Sequence, residues 1–279
     1  TMTRYGFRFM ILQVTMAKKN TKHKIIVIFN LFFRKILNKN DCYLSQDYLR
    51  EFSHFGIDVL FTQHSGAIWY PMVYEYEDIR MKENAKKVKT RLLESFVNTV
   101  NTIKPTFVVP YAGPPCFLED DCFKFNFEEN GIFPDQHDFA PKIENKIISK
   151  YNMMMPNDDL IIDTQGSIKF ENFNHFDFER KEELLKEYQK KRLPYINNYL
   201  QNIQEPKNDL YEKFDEYFKK LINQNKYFSS SVDQIVEFQI VGKYGGIWQI
   251  NFKDSPVKIS KEKIGEAEYR FTINSKYMN

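Results

Sequence analysis

Three short apolar runs in the first half of the chain have the composition of buried strands. Residues 25–33, 57–62 and 106–109 are rich in β-branched and aromatic side chains, and Gly, Pro or polar residues separate them. The Asn-Lys-Asn-Asp sequence at positions 38–41 consists of turn formers, which predicts a polar loop after the first strand. The three runs therefore predict a buried sheet whose strands end in loops.

Two segments between these runs have the pattern of amphipathic helices. Ser45 is a suitable N-cap for a short helix that continues to Phe52 and is ended by Gly56. Apolar side chains recur at helical spacing over residues 77–104, and Pro105 ends that longer helix. Strands and helices thus alternate along the chain, which is typical of an α/β sheet.

The pattern becomes less regular after the third strand. Residues 116–134 are aromatic and acidic without a clear period, so we predict an irregular excursion that covers a pocket. We expect a helix over residues 141–154. Residues 160–163 and 168–170 predict a hairpin around Gly166.

The carboxy-terminal part combines a charged helical segment with a β-rich tail. Residues 180–228 predict two helices that are broken near Pro206. Four short runs follow, separated by Gly, Asp and Pro turns, and they predict a small antiparallel sheet over 235–241, 247–252, 257–259 and 269–273.

These elements predict a mixed α/β (α+β) protein with several parts. We expect an uncertain amino-terminal extension over residues 1–23 and a main α/β region over residues 24–170. A helical segment over residues 171–228 and a small β-rich carboxy-terminal domain over residues 229–279 complete the chain. A chain of 279 residues is long enough for one large domain or for a domain with an appendage.

Composition narrows the class of protein. With 42% hydrophobic and 16% aromatic residues the chain can build a sizeable core, and a net charge of +3 with interspersed signs gives no basic stripe for nucleic acid. The longest apolar run is too short to span a membrane, and no signal peptide is recognisable. Three cysteines without a CxxC pair favour a reducing compartment, so we expect a cytoplasmic protein.

Candidate chemistry lies in three loops that follow successive predicted strands, where open α/β sheets usually bind ligands. The loops span residues 38–42, 62–71 and 109–116. We predict a small-molecule ligand here, and the candidate substrate-binding residues are His64, Ser65, Trp69, Tyr111 and Gly113. The alternatives are that His64 only hydrogen-bonds its neighbours and that the aromatic side chains fill a core.

The same three loops carry a resemblance to a known superfamily. Asn40-Asp41-Cys42, the run from Gln63 to Ala67 with Trp69-Tyr70-Pro71, and Val109-Pro110-Tyr111-Ala112-Gly113 are similar to metallo-β-lactamase-fold proteins of the CMP-N-acetylneuraminic acid hydroxylase type. The resemblance is most specific over residues 38–138. It implies a partial αββα sandwich over residues 24–170 and a bridging metal ligand at Asp41, with His64 as a supplementary ligand.

The metal site implied by this resemblance is incomplete. The superfamily's His-x-His-x-Asp-His run is absent from the chain, and the five histidines form no HxH or HxxxH pair. The first residue is Thr rather than Met, which suggests a truncated or processed chain. Zinc or iron is expected only if a missing amino-terminal segment or a partner chain completes the site, and otherwise no cofactor is expected.

Two functional hypotheses follow. One is a metal-dependent hydrolase or hydroxylase-like oxidoreductase whose remaining ligands lie outside this chain. The other is a non-catalytic binding protein with a degenerate pocket for a sugar-like or nucleotide-like ligand. Other single residues have plainer explanations: Cys42 and Cys116 as buried, inert thiols, and Asp135 as a helix cap beside His137.

Overall fold

The structure, a computed structural model, describes residues 10–13, 27–31, 34–40, 42–66, 68–127, 129–173 and 176–278. It is mixed α/β, which confirms the predicted fold class. The chain divides into two compact units, residues 1–189 and residues 190–279. The finer domain boundaries from the sequence stay predictions.

The first unit is built on a six-stranded sheet with the strands in sequence order. Its strands are β1 (Met10–Gln13), β2 (Val27–Leu31), β3 (Arg34–Asn40), β4 (Val59–Gln63), β5 (Phe107–Tyr111) and β6 (Lys150–Tyr151). The β1–β2 and β2–β3 pairs are antiparallel, whereas β3 to β6 run parallel. The carboxyl ends of β3, β4 and β5 therefore meet at one edge of the sheet.

Helices of the first unit are α1 (Gln46–Ser53), α2 (Asp78–Ile103), α3 (Asp120–Phe123) and α4 (Gln136–Ile143), and a hairpin is formed by β7 (Asp159–Ile162) and β8 (Ile168–Glu171). Side chains from α1, α2 and α4 pack with those of the central strands in one apolar core, which includes Leu37, Phe52, Leu60, Phe96, Val100, Val108, Phe139 and Ile143. This core holds the loop-bearing edge of the sheet in place.

Several local predictions are confirmed. Ser45 is the N-cap of α1, and its hydroxyl accepts a hydrogen bond from the Tyr48 backbone N–H at 3.5 Å. The long helix α2 matches its predicted bounds within one residue at each end, and Lys104 ends it in a left-handed conformation. The predicted hairpin around Gly166 is present as β7 and β8.

Two local predictions are wrong. Asn38 belongs to β3 rather than to a turn, because it pairs with Val27 of β2 and with Phe61 of β4. The expected helix over residues 141–154 is not formed, since α4 ends at Ile143 and the chain returns to the sheet as β6. There the backbone N–H of Lys150 donates to the Thr106 carbonyl at 3.2 Å, so sheet pairing overrides the helical pattern.

A long helix, α5 (Lys181–Asn202), spans the boundary between the units. The second unit contains α6 (Leu210–Gln224), α7 (Lys226–Val232), β9 (Ile235–Val241), β10 (Gly246–Asn251), β11 (Lys258–Ser260) and β12 (Tyr269–Asn274). Its strands are ordered β11-β10-β9-β12 in one sheet, so the four predicted strands are confirmed. The β12–β9 pair is parallel, which differs from the predicted antiparallel sheet.

One face of this second sheet packs on α6. Phe214 of α6 lies 5.0 Å from Phe238 and 4.9 Å from Trp248, measured between ring centroids. These rings belong to the apolar core of the second unit. In the part of the chain that the structure describes, no helix is long and apolar enough to cross a membrane.

Candidate functional site

The loops after β4 and β5 lie side by side because those strands are parallel neighbours. Gln63 pairs with Tyr111 at the last position of the ladder. The His64 backbone N–H then donates to the Tyr111 carbonyl at 3.3 Å, which extends the pairing by one residue. The predicted site residues of these two loops are thereby brought together.

His64 is buried beneath the loops. Its ring packs 4.9 Å from the ring of Phe139, and Nδ1 lies 3.1 Å from the Tyr111 carbonyl oxygen. Because a carbonyl can only accept, Nδ1 carries the proton and donates to it. Nε2 is buried and makes no hydrogen bond of ordinary geometry within the described residues, although the Pro134 carbonyl also interacts with the ring.

Burial lowers the pKa of His64 below its ordinary value. The backbone carbonyls of Tyr111 and Pro134 and the carboxylate of Asp135 favour the protonated ring, but the loss of solvation outweighs them. His64 is therefore a neutral side chain at pH 7. A neutral imidazole still holds the loop through its Nδ1 bond to the Tyr111 carbonyl.

Gly113 completes this arrangement because it lies directly against His64 and Ser65. A Cβ atom at position 113 would be 2.5 Å from His64 Cε1 and 2.8 Å from Ser65 Oγ, which is closer than atoms can approach. The Ser65 hydroxyl donates to the Ala112 carbonyl at 2.9 Å, and Ala112 itself has a left-handed φ of 57°. Only glycine fits at position 113 without displacing its neighbours.

Tyr111 connects the site to β3. Its hydroxyl donates to Asn38 Oδ1 at 2.7 Å, and its ring makes an edge contact with Phe61 at 6.0 Å. The hydroxyl thus spans from β5 across β4 to β3. This bond fixes the ends of three adjacent strands relative to one another.

Above these buried groups lies a surface pocket of about 320 Å³. It is lined by Gly66, Trp69, Ala112, Gly113, Pro114, Pro115 and Phe133. Trp69 is 51% exposed and makes edge contacts with Phe117 at 5.6 Å and with Phe133 at 6.0 Å. Among the lining residues that the structure describes none is charged, so the pocket suits an uncharged or apolar group.

The predicted substrate-binding residues occupy different positions around this pocket. Trp69 and Gly113 line it, His64 and Ser65 lie buried beneath it, and Tyr111 holds the strand ends. The sequence analysis did not single out Phe133, which comes from the irregular segment before α4. No sequence signal marked it, since its place depends on how that segment folds back. The substrate-binding roles stay predictions.

The described residues hold no metal-ligating cluster. No group of three or more His, Cys, Asp or Glu side chains that could hold a metal ion is found among them. Asp41, the predicted bridging ligand, lies outside the described residues. Within the described part of the chain, His64 therefore has no companion ligands for its predicted supplementary role.

The three cysteines differ in their exposure. Cys42 is buried, Cys116 is exposed and Cys122 is half-buried, and none of these three described residues is in a disulfide bond. Partial burial, together with the carboxylate of Glu119, raises the pKa of both Cys116 and Cys122. A raised pKa disfavours the thiolate that nucleophilic attack or metal binding requires. The predicted burial is confirmed for Cys42 and wrong for Cys116, and the inertness of Cys42 stays a prediction.

Asp135 is the predicted helix cap. Its carboxylate accepts from the Asp138 backbone N–H at 2.8 Å, and its other oxygen accepts from Lys181 Nζ at 2.7 Å. His137 stacks on Phe178 with ring centroids 5.3 Å apart. The capping role is confirmed, and the ion pair with Lys181 was not visible in the sequence.

Comparison with known proteins identifies partial relatives, and no protein-family model matches the chain. A putative Rieske 2Fe-2S iron-sulfur protein of Mycolicibacterium smegmatis is 38% identical over 93 residues, which is 32% of this chain and 18% of the relative. A putative Rieske 2Fe-2S iron-sulfur protein of Mycobacterium tuberculosis is 39% identical over 96 residues, 33% of this chain and 18% of the relative. The matched part is thus about a fifth of the relatives' length.

These relatives contradict the metallo-β-lactamase resemblance. They are named as Rieske iron–sulfur proteins, and nothing among the matches indicates a metallo-β-lactamase fold or a CMP-N-acetylneuraminic acid hydroxylase branch. The predicted metal-dependent hydrolase or hydroxylase is therefore wrong, as is the alternative of a degenerate sugar or nucleotide pocket. The residues behind that resemblance are short loop sequences at strand ends, a feature that many α/β sheets share.

A Rieske cluster does not fit the residues that the structure describes. Such a cluster is held by two cysteines and two histidines. None of the three cysteines is followed within three positions by a histidine, and the described residues contain no cluster of ligating side chains. The predicted cofactor was zinc or iron. Iron agrees with the names of the relatives as 2Fe-2S iron-sulfur proteins, whereas zinc has no support from them.

Proposed function

We propose that this chain is the small-molecule-binding part of a Rieske-type iron–sulfur redox system whose cluster is held by residues outside this sequence. The observation that carries the proposal is the 38–39% identity with putative Rieske proteins over 93–96 residues. In this chain, however, no cysteine is followed within three positions by a histidine, so its cysteines and histidines do not show the pairing expected of Rieske cluster ligands. The matched region therefore contributes something other than cluster ligands.

The pocket beside Gly113 supports the binding role. It is concave, mostly apolar and lies at the carboxyl ends of parallel strands, which is the usual position of ligand sites in α/β sheets. In this proposal Trp69 and Gly113 contact the ligand. His64, Ser65 and Tyr111 hold the two loops at a fixed separation through the hydrogen bonds described above.

The cluster ligands in this proposal belong to a partner chain or to another part of a longer protein. A direct test is anaerobic reconstitution of the full, untagged chain with ferrous iron and sulfide. We expect less than about 0.1 iron per chain after desalting, and no electron paramagnetic resonance signal from a reduced [2Fe–2S] cluster, because the described residues bring no such ligand set together. Two iron and two sulfide per chain would show that this chain holds the cluster, and the proposal would fail.

A second test uses the longer relative. The segment of the Mycolicibacterium smegmatis protein that matches this chain is replaced by the corresponding segment of this chain. We expect the chimera to keep the cluster signal of its parent at equal amplitude per mole, since the exchanged segment supplies no ligand. A scrambled segment of the same composition is the control for misfolding. Loss of the signal from a folded chimera would place cluster ligation in the matched segment.

A further inference from the structure

Two backbone N–H groups beside the pocket find no hydrogen-bond acceptor among the described residues. Those of Gly66 and Gly113 donate to no group among the residues that the structure describes, although both residues line the pocket. Gly66 has a left-handed φ of 73°, and Gly113 directly follows Ala112, whose φ is also positive. Such turns leave backbone N–H groups free for an external acceptor.

A third polar atom, Nε2 of His64, lies close to Gly113 beneath the pocket. It is buried and makes no hydrogen bond of ordinary geometry within the described residues. Buried polar groups in native proteins nearly always have a partner, so an exception calls for an explanation. The two half-buried N–H groups of Gly66 and Gly113, on adjacent loops of one pocket, point to a ligand with an acceptor atom of its own.

The walls of the pocket define the rest of the ligand. Trp69 and Phe133 provide aromatic surface, and Pro114 and Pro115 provide rigid apolar surface. Flat apolar groups pack well against aromatic rings. The described lining contains no charged side chain, so a carboxylate would lose its hydration without gaining a counter-charge.

We propose that the pocket binds a planar, uncharged molecule through a carbonyl oxygen that accepts from the N–H groups of Gly66 and Gly113. The ring of the ligand packs against Trp69 and Phe133. His64 acts as a positioning residue, because its bond to the Tyr111 carbonyl sets the height of the loop that carries Gly113. This inference rests on the proposed binding function and names the class of ligand.

The probe for this proposal is benzamide, which is planar, uncharged and has one carbonyl group. The full chain, labelled with ¹⁵N at its ten glycines, is titrated with benzamide while amide resonances are recorded. We expect saturable downfield shifts of the Gly66 and Gly113 protons with a Kd of about 1 mM, a reasonable affinity for so small a ligand. Benzoate, the matched anion, is expected to bind at least about tenfold more weakly.

Two variants sharpen the test. Trp69→Leu removes an aromatic wall and is expected to weaken benzamide binding at least about fivefold, as loss of an aromatic contact predicts. Trp248→Phe changes the other tryptophan, which is buried in the second unit, and leaves the affinity unchanged. If Trp69→Leu does not fold, the two glycine shifts in the unmodified chain still decide the question.

Three results would overturn the inference: tighter binding of benzoate, binding of benzamide without shifts at Gly66 and Gly113, or no binding of either probe. None of them alters the iron and sulfide content of the reconstituted chain. Failure of the ligand class is therefore distinguishable from failure of the proposed place in an iron–sulfur system.

Discussion

His64 and Gly113 fit together so closely that a methyl group on Gly113 would lie 2.6 Å from His64 Nε2. The two residues belong to loops that are brought together only by the pairing of β4 with β5. The His64 ring fits in its buried position only because residue 113 has no side chain. The separation of the loops, and with it the shape of the pocket, is set by this contact.

Gly113→Ala is expected to lower the free energy of unfolding by about 1–3 kcal/mol, because the new methyl group overlaps a buried ring. Urea unfolding measures the change. The double variant His64→Ala/Gly113→Ala is expected to lose less than the sum of the two single changes, since removing the ring makes room for the methyl group. Strict additivity would show that the contact does not limit position 113.

The stability of the first unit is expected to depend on pH through His64. Burial lowers the pKa of His64 in the folded state, so the unfolded chain binds the proton more readily. This contribution is fully present above the unfolded pKa of about 6.5 and decreases as the pH falls below it, by at most about 1.4 kcal/mol per pH unit.

Chemical unfolding at several pH values between 5 and 8 measures this slope, with the range chosen around the ordinary histidine pKa of about 6.5. His64→Asn keeps a donor for the Tyr111 carbonyl but does not titrate, so its slope is expected to be smaller. His54→Asn changes an exposed histidine and serves as the matched control. Equal slopes for the unmodified chain and His64→Asn would contradict the prediction.

The ion pair between Asp135 and Lys181 is partly buried, with side-chain exposures of 5% and 17%. Asp135→Asn keeps the cap on α4 but removes one charge, and it is expected to cost about 1–3 kcal/mol because Lys181 is left without its partner. Asp135→Ala also removes the cap and is expected to cost about 1 kcal/mol more.

Thermal unfolding compares these variants. Glu183→Gln removes the exposed pair with Arg180 and is expected to change the free energy of unfolding by less than about 0.5 kcal/mol. If Asp135→Asn were as mild as this control, the Asp135–Lys181 pair would contribute nothing beyond a surface ion pair.

Gln249 holds the loop before β12 against the second sheet. Its side chain is fully buried, donates to Glu237 Oε2 at 2.7 Å and accepts from the backbone N–H groups of Ile264 and Gly265. Gln249→Leu leaves these partners unsatisfied and is expected to destabilise the second unit by about 2–4 kcal/mol.

Trp248 fluorescence during urea unfolding reports this change when Trp69 is replaced by Phe, because Trp248 is then the only tryptophan. Gln239→Leu, at an exposed position of β9, is the control and is expected to have little effect. A similar loss of stability in both variants would show that hydrogen bonding by Gln249 is not the cause.

The sequence was most informative where a single local pattern decides the structure. Helix α2 and the strands β9 and β10 were placed within about two residues, because periodic side chains and flanking Pro or Gly act locally. Strand β3 was missed. Its sequence, Arg-Lys-Ile-Leu-Asn-Lys-Asn, is largely polar, and it is extended because β2 and β4 flank it on both sides.

In the candidate site, too, some features could be predicted from local sequence and others could not. The loops were recognisable, since polar and glycine residues follow apolar runs, and five of their residues were named in advance. The resemblance drawn from those loops was nevertheless wrong, because short strand-end sequences recur in unrelated α/β proteins. Family membership is a property of long alignments, and loop residues of this kind carry too little information to decide it.

The sequence by itself determined the fold class, the long helices and the carboxy-terminal strands. Tertiary structure alone decided that His64 is buried, that position 113 must be glycine and that Phe133 joins the pocket. The physical reason is sequence distance: His64 and the Tyr111 carbonyl are 47 positions apart, and only the parallel pairing of β4 with β5 makes them neighbours.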